Sequence, residues 1–203
     1  MNYRIFVEKR PAFQVEAHSL KNELNENLQL HLQSLRYINV YDLFGFTQEL
    51  LEQCRYSVFG ETVTDTVSDE CDLTSKKYLA VEYLPGQFDQ RASSAVDCVH
   101  LIDPNAEVEI RSSRLLVFDE QLTDAELDKI RHYYINAVES REKDLSQLSQ
   151  NQTADVKPLA QLDGFITMPR EEYAAFCKEW GLAMNTDDLH EVVTYFQKEQ
   201  RNP

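Results

Sequence analysis

The stretch "VEYLPGQFDQRASSA", Val81–Ala95, leads from an apolar, strand-like run through a Pro-Gly turn into a helix-like run. A shorter passage near the N-terminus, "VEKRP" at Val7–Pro11, likewise follows an apolar run and ends at a proline. Val81 lies 74 positions after Val7 (81 − 7), and Pro85 lies 74 positions after Pro11 (85 − 11). This constant spacing predicts a structural unit that occurs twice within residues 1–140.

Apolar periodicity in the flanking segments predicts strands and helices in the same order in both halves. The first half has predicted strands at Tyr3–Glu8, Leu35–Phe46 and Glu61–Asp69, and predicted helices at Ser19–Leu32 and from Thr47 onward. The second half has predicted strands at Lys77–Leu84 and Ala106–Phe118, and predicted helices at Asp89–Ile102 and Thr123–Asn136. Thr47 and Thr123 begin similar passages, "TQELLEQ" and "TDAELDK". We therefore predict a βαβαβ unit in each half.

The predicted fold class is α+β, with a two-layer α/β pseudo-dimer of βαβαβ repeats. Units of this size cannot cover both faces of a sheet alone, so two copies are expected to pair and bury one apolar surface between sheet and helices. The repeats are assigned to residues 1–72 and 77–140, joined near Asp72–Lys77 and related by a pseudo-two-fold axis. Because strand-helix alternation is common, chance similarity of the two halves is the alternative.

The sequence of the remaining residues predicts a linker and a small helical domain. Residues 141–155, "REKDLSQLSQNQTAD", are polar and rich in Ser and Gln, which is typical of a linker. Residues 156–203 contain two amphipathic patterns, the first after Pro169 and ended by Gly181, the second after Thr186. A DNA-reading helix-turn-helix is a weaker interpretation, because "DDLHEVVTYFQKE" offers acidic side chains where a recognition helix needs basic ones.

Composition excludes several classes of function. The chain of 203 residues has 35 acidic and 20 basic side chains and a formal net charge of −15, so a nucleic-acid backbone would be repelled. The N-terminus lacks the apolar core of a signal peptide, and no apolar stretch is long enough to span a membrane. We expect a cytoplasmic protein without nucleic-acid or membrane partners.

The sequence contains no recognisable catalytic or metal-binding motif. With 5 glycines in the chain, there is little material for a loop that holds nucleotide phosphates. The cysteines are far apart in the sequence, which predicts reduced, mostly packed thiols: Cys54, Cys71, Cys98 and Cys177. The histidines fall on separate predicted elements. We therefore assign no catalytic, cofactor-binding or metal-ligating residue to this segment.

A cluster of polar residues around the start of the second-half helix is the candidate substrate or interface site. It consists of Gln87, Asp89, Gln90, Arg91, Ser93 and Ser94. Arg91, the serine hydroxyls and the free backbone N–H groups of the first turn could contact a phosphate or a carboxylate. Alternatively, Asp89 simply caps the helix and Arg91 forms a surface ion pair.

Five passages resemble phosphoribosylformylglycinamidine synthase of the large single-chain type. Four resemble its beginning: "RIFVEKR" (Arg4–Arg10), "VYDLFGF" (Val40–Phe46), "VTDTV" (Val63–Val67) and, most specifically, "VEYLPGQFDQRASSA" (Val81–Ala95). The fifth, "GLAMNTDDLHEVVTYF" (Gly181–Phe196), resembles that family's helical linker domain. The resemblance implies an N-terminal domain similar to a dimer of PurS, the small stand-alone subunit of the split enzyme.

The resemblance also implies an activity. The family converts formylglycinamide ribonucleotide to the amidine in purine biosynthesis, with ATP and glutamine-derived ammonia. Its ATP and magnesium sites and its Cys-His-Glu glutaminase lie downstream of Pro203, so this segment would scaffold the synthetase and glutaminase domains of the same chain. Arg91 would contact a substrate phosphate or an acidic group of the synthetase domain. The alternative is a non-catalytic regulatory module that binds a small effector between its two halves.

Overall fold

The computed structural model of this chain describes residues 2–118, 122–148 and 161–203. The residues cluster into two compact units, Met1–Thr153 and Ala154–Pro203. Residues 149–155 of the predicted linker and 156–160 of the predicted helical domain lie outside the described residues.

The first unit is one antiparallel sheet with helices, which confirms the α+β class. Its strands are β1 (Asn2–Lys9), β2 (Leu35–Phe44), β3 (Asp65–Ser68), β4 (Tyr78–Tyr83), β5 (Glu109–Phe118) and β6 (Ser140–Glu142). Its helices are α1 (Val15–Leu28), α2 (Gln48–Cys54), α3 (Gln90–Ile102) and α4 (Asp124–Tyr134). The strand order is β3-β1-β2-β5-β4-β6. Each half thus places its third strand outermost and its second strand at the centre of the sheet.

Strand register is also the same in the two halves. Val7 lies opposite Asn39, and Val81, 74 positions after Val7, lies opposite Arg114, 75 positions after Asn39. The outer strand pairs, β1 with β3 and β4 with β6, have the same offset: Val7 lies opposite Val67, and Val81 lies opposite Glu142, 75 positions after Val67. Between β2 and β5, Asn39 lies opposite Arg114 itself. The pairing pattern is therefore symmetric about the Asn39–Arg114 pair, at the centre of the sheet.

All four helices pack on one face of the sheet, where they complete two apolar cores. The first core consists of Ile5, Val7, Tyr41, Leu43, Phe46, Leu50, Leu51, Cys54, Phe59, Val67, Ala92, Ala95, Val99 and Ile110. The second core consists of Ala17, Leu20, Leu24, Leu30, Leu32, Leu35, Leu79, Val81, Leu116, Phe118, Leu122 and Ile130. The first core thus includes α3 of the second half, and the second core includes α1 of the first half. Each half buries its first helix against the other half, so neither half contains a complete core.

Loops rather than helices cover the opposite face of the sheet. Buried side chains of the central strands, among them Ile38, Val40 and Leu115, pack there with Leu73 and Leu145 from two connecting segments. Apolar side chains on both faces explain why β2 is buried along most of its length, instead of alternating between buried and exposed positions.

The predicted linker begins too early, because residues 140–148 belong to the first unit. Ser140–Glu142 form β6, which pairs with β4. The backbone N–H of Lys143 then donates to the carbonyl oxygen of Ala80 at 2.8 Å. The guanidinium of Arg4 donates to the carbonyl oxygens of Leu145 and Gln147. Polar composition suggested a linker, but hydrogen bonds and charges hold this segment in place.

A buried network of charges attaches that segment to the sheet. Lys143 Nζ lies 2.9 Å from Asp42 Oδ2 and 2.8 Å from Glu82 Oε2. Arg4 Nε lies 2.6 Å from Asp42 Oδ1, and a guanidinium nitrogen of Arg141 lies 2.8 Å from Glu82 Oε1. Because Lys143, Asp42 and Glu82 are largely shielded from water, removing one of these charges would leave its partners buried without compensation.

Two predicted element boundaries are wrong for local reasons. The first helix spans Val15–Leu28 rather than Ser19–Leu32, because Gln29 adopts a left-handed conformation (φ 54°) that ends it. The third strand begins at Asp65 rather than Glu61, because the Asp65 carboxylate accepts a hydrogen bond from the backbone N–H of Glu61 and closes a turn.

The second unit is a small helical cluster. Its helices are α5 (Tyr173–Glu179), which follows a 3-10 turn after Pro169, and α6 (Thr186–Lys198). Asn185 caps α6 and forms a capping box with Asp188. The core consists of Phe165, Tyr173, Cys177, Leu189 and Val193, so the two predicted amphipathic faces meet. In the described ranges, no helix is both long and apolar enough to cross a bilayer.

Candidate functional site

An exposed turn precedes α3 and contains the most specific part of the family resemblance. The backbone N–H of Gln87 donates to the carbonyl oxygen of Leu84 at 3.0 Å, which closes the turn around Pro85 and Gly86. Gly86 has φ +90°, a conformation that other residues rarely adopt. The side chain of Phe88 is 73% exposed. A large aromatic ring is therefore presented to solvent just before the helix.

Asp89 anchors the beginning of α3 and is fully engaged. Its Oδ1 accepts from the backbone N–H of Ala92 at 2.9 Å, which confirms the predicted cap. The same carboxylate accepts from both the backbone N–H and the hydroxyl of Ser112 on β5, each at 2.8 Å. Asp89 therefore fixes α3 to the centre of the sheet and is a positioning residue rather than a ligand contact.

An open cleft of about 630 Å3 lies between the starts of α1 and α3. Its floor is formed by the helix-facing positions of β2 and β5 between the two cores, where Tyr37, Asn39, Tyr41, Ser112 and Arg114 replace the aliphatic side chains found at either end. Glu16 of α1 lines one side of it. The cleft thus coincides with the symmetric centre of the strand pairing.

The structure brings only half of the predicted site residues into this cleft. Gln90, Arg91 and Ser94 line it. Gln87 instead donates to the carbonyl oxygen of Val138 at 3.3 Å, and Ser93 is not among the lining residues. Helical geometry explains the division, since Arg91 and Ser94 are three residues apart on one face of α3.

Within the described residues, Arg91 does not form the surface ion pair that was the alternative interpretation of its role. Its Nη1 lies 3.4 Å from the hydroxyl of Tyr41, and among the described residues no carboxylate lies within ion-pair distance of its guanidinium. Burial opposes the charged form, but the hydrogen bond to Tyr41 and the electrostatic attraction of Tyr41, Tyr37 and Glu16 together outweigh it, so the pKa of Arg91 lies above its ordinary value. The guanidinium is therefore cationic at every physiological pH.

Arg114 is the functional candidate that the sequence interpretation missed. Its Nη2 donates to the Tyr83 hydroxyl at 3.1 Å, and its guanidinium carbon lies 5.8 Å from the Tyr83 ring centre. Burial again opposes the charge, while interactions with Tyr134, Tyr37 and Tyr83 raise the pKa of Arg114 overall. The missed signal was the polar passage Arg111–Arg114, "RSSR", inside an otherwise apolar central strand.

The floor of the cleft also holds a strongly shifted phenol and an unsatisfied amide. Burial is the main cause that raises the pKa of Tyr37, so this hydroxyl stays protonated. Asn39 Oδ1 is buried, and none of the described residues donates a hydrogen bond to it. Two cations, several hydroxyls and a free acceptor therefore surround one open space.

Comparison with known proteins does not identify the chain. No family model matches the sequence, and no curated protein matches it either. Among the described residues, no group of three or more His, Cys, Asp or Glu side chains could hold a metal ion.

Proposed function

We propose that this chain is the N-terminal part of a phosphoribosylformylglycinamidine synthase, the ATP- and glutamine-dependent ligase that converts formylglycinamide ribonucleotide to the amidine. The single observation that carries the proposal is the exposed "LPGQFDQRASSA" passage, Leu84–Ala95. It is the most specific part of the resemblance, and it presents Phe88 to solvent while Asp89 anchors the following helix. An anchored segment with an exposed aromatic tip suits contact with another domain.

The finer fold class belongs to the same proposal. We propose that the first unit is a PurS-like pseudo-dimer, in which each half corresponds to one small subunit. The shared strand order and register support this, as do the two cores completed by helices from both halves. Exchange of the first helices would bind two such subunits tightly, because neither could bury its apolar face alone.

This segment would scaffold the ligase rather than carry its chemistry. ATP and magnesium would bind to the downstream synthetase domain, and the glutaminase nucleophile would also lie downstream. The described residues of this segment would position those domains and help shelter the ammonia that passes between them. The chain alone is expected to release no glutamate from glutamine and to form no amidine.

The test is a substitution of the exposed aromatic ring in the full product of the gene. Phe88→Ser is expected to lower ligase activity about 10-fold or more, because a buried interface aromatic contributes roughly 1.5–3 kcal/mol. The melting temperature of residues 1–203 should not change. Leu101→Ser is the matched control, since Leu101 lies at the far end of α3 and is 85% exposed. Equal activity of the two variants and the wild type would refute the proposed domain contact.

The second candidate function is a regulatory module that binds a small effector between its two halves. The cleft at the centre of the sheet favours it, since its volume falls within the range of small-molecule sites, roughly 300–1,000 Å3. Under this alternative, the chain would bind its effector without any downstream domain.

A further inference from the structure

Arg91 and Arg114 stand apart from the other arginines of this acidic chain. Of the 11 arginines in the sequence, eight form ion pairs with carboxylates: Arg4, Arg36, Arg55, Arg111, Arg131, Arg141, Arg170 and Arg201. Arg10 donates to the backbone carbonyl of Asp65. The two that remain, Arg91 and Arg114, line the same cleft. In the part of the chain that the structure describes, their guanidinium groups hydrogen-bond only to tyrosine hydroxyls.

This arrangement leaves positive charge available in the cleft. A tyrosine hydroxyl is a neutral acceptor and satisfies at most one of the five donors of a guanidinium. With a net charge of −15, the chain has an excess of carboxylates that could have neutralised these arginines. Among the described residues, Glu16 is the one carboxylate that lines the cleft with them; its charge attracts Arg91 without forming a hydrogen-bonded ion pair with it.

Asn39 offers a ligand a hydrogen-bond acceptor, whereas the two arginines offer donors. Asn39 lies opposite Arg114 in the pairing of β2 with β5, and none of the described residues donates a hydrogen bond to its Oδ1. A buried acceptor without a partner costs free energy, which is regained when a ligand provides an N–H or O–H group. Rotation of the amide about its Cβ–Cγ bond would turn this oxygen toward such a group in the cleft.

We propose that this cleft binds a small organic anion, a carboxylate or a phosphate monoester, that also carries an O–H or N–H donor. The anionic group lies against Arg91 and Arg114, and the donor binds Asn39 Oδ1. Tyr37 and Tyr41 provide aromatic surface on the floor of the cleft. Glu16, on the α1 side, disfavours a ligand with negative charge at both ends.

The inference does not depend on the proposed ligase. The cleft is formed by described residues of the first unit alone, so binding should be measurable on residues 1–203 without ATP, glutamine or a downstream domain. Failure of binding would leave the ligase proposal intact, and failure of the ligase assay would leave the binding result intact.

The test is calorimetric titration of residues 1–203 at low ionic strength with two hydroxylated anions that each carry one acidic group, glycerol 3-phosphate and D-glycerate. Glycerol serves as the uncharged comparator. We expect at least one anion to bind and glycerol not to bind. Arg91→Gln and Arg114→Gln should each raise the dissociation constant about 10-fold, because each removes a charged donor. The anion that binds more tightly identifies the phosphate or the carboxylate as the preferred group.

Arg36→Gln is the matched control, because Arg36 lies on β2 but is paired with Glu8 at 2.6 Å. It should change the dissociation constant less than about twofold, since Arg36 is exposed, already paired with Glu8 and not among the residues that line the cleft. If Arg114→Gln does not fold, Arg91→Gln decides the question, because its side chain is at the surface end of the cleft. Absence of binding by both anions, or equal binding by the Arg91→Gln and Arg36→Gln variants, would overturn the proposal.

Discussion

The two halves of the first unit share a backbone and differ in charge. Both halves have the same strand order and register, and α1 and α3 begin at equivalent places. Gln14, before α1, makes no capping bond with its side chain, whereas Asp89, before α3, caps the helix and binds β5. Glu16 and Arg91, 75 positions apart, occupy the same place in the first turn and carry opposite charges. The repeated backbone builds the cleft, and the second half supplies the cation at its entrance.

The outer strands show the same contrast. In the first half, β3 pairs with β1 and buries Val67 in the first core. Among the described residues it has one ion pair, Lys9 Nζ to Asp65 Oδ1 at 2.8 Å, in which Lys9 is partly exposed. In the second half, the segment after β6 is held by the buried network around Lys143. A short polar strand such as β6 provides little apolar surface, so charges replace hydrophobic contacts in fixing it. The two edges should therefore differ in how much stability one substitution removes.

The largest effect is expected from separating the halves. Residues 1–72 alone should show no cooperative unfolding transition, because the first core loses Ala92, Ala95 and Val99 of α3. Circular dichroism during heating measures this, and residues 1–148 serve as the control with both cores present. A cooperative transition for either half alone would contradict the composite cores.

Removal of the central cation of the network should give the next largest effect. Lys143→Met leaves Asp42 and Glu82 buried with fewer partners, so the free energy of unfolding should fall by about 3 kcal/mol. Urea denaturation measures the change. The matched control is Lys77→Met, since Lys77 pairs with the exposed Asp124 and its removal should lower the free energy of unfolding far less. Equal effects of the two substitutions would show that the network does not hold the segment.

The edge of the first half should depend on pH. Burial opposes ionisation of Asp65, but hydrogen bonds from Lys9 and the backbone N–H of Glu61 outweigh it and lower its pKa below 3.8. An acid with a lowered folded-state pKa stabilises the fold above its unfolded value, and this stability is lost as pH falls through the folded value. Asp65→Asn should therefore cost about 1–3 kcal/mol at pH 7, and this cost should decline as the pH falls from 3.8 through the lower pKa of the folded state.

Urea denaturation of both proteins between pH 2.5 and pH 7, roughly the range over which carboxylates titrate, checks this expectation. The exposed Asp69 provides the control, since Asp69→Asn should give a small difference at every pH. A cost for Asp65→Asn that stays constant over the whole range would show that the ionised carboxylate contributes nothing.

The smallest effect on stability is expected at the cleft. Arg91→Gln should lower the free energy of unfolding of residues 1–203 by less than about 1 kcal/mol, because its contact with Tyr41 is long and partly exposed. A loss as large as that of Lys143→Met would mean that Arg91 serves the fold rather than a ligand. Thermal denaturation of the two variants side by side makes the comparison.

Local features of this fold could be predicted, and features that depend on distant pairing could not. The caps at Thr47, Asp89 and Thr123 involve residues three positions apart, so the sequence indicates them directly. Arg141 and Glu142 of β6 were predicted to begin the linker, because the strand pairing and the charges that hold this segment involve residues more than 50 positions away in the sequence.

The candidate site likewise contains residues that the local sequence indicates and residues that only distant strand pairing brings together. Gln90, Arg91 and Ser94 lie on one helix, so the sequence alone could predict that they are close together. Asn39 and Arg114 meet them only through the register of β2 with β5, which no local pattern specifies. Polar residues at helix-facing positions of a central strand are the signal that could have indicated them.

The most direct test of the account is the activity of the native protein that contains this sequence. Antibodies against residues 1–203 would isolate it from its source, and amidine formation from formylglycinamide ribonucleotide, ATP and glutamine would be measured. We predict a chain much longer than 203 residues that forms the amidine and loses this activity when residues 1–203 are deleted. A native chain that ends at Pro203, or a longer chain that forms no amidine, would contradict the proposed function.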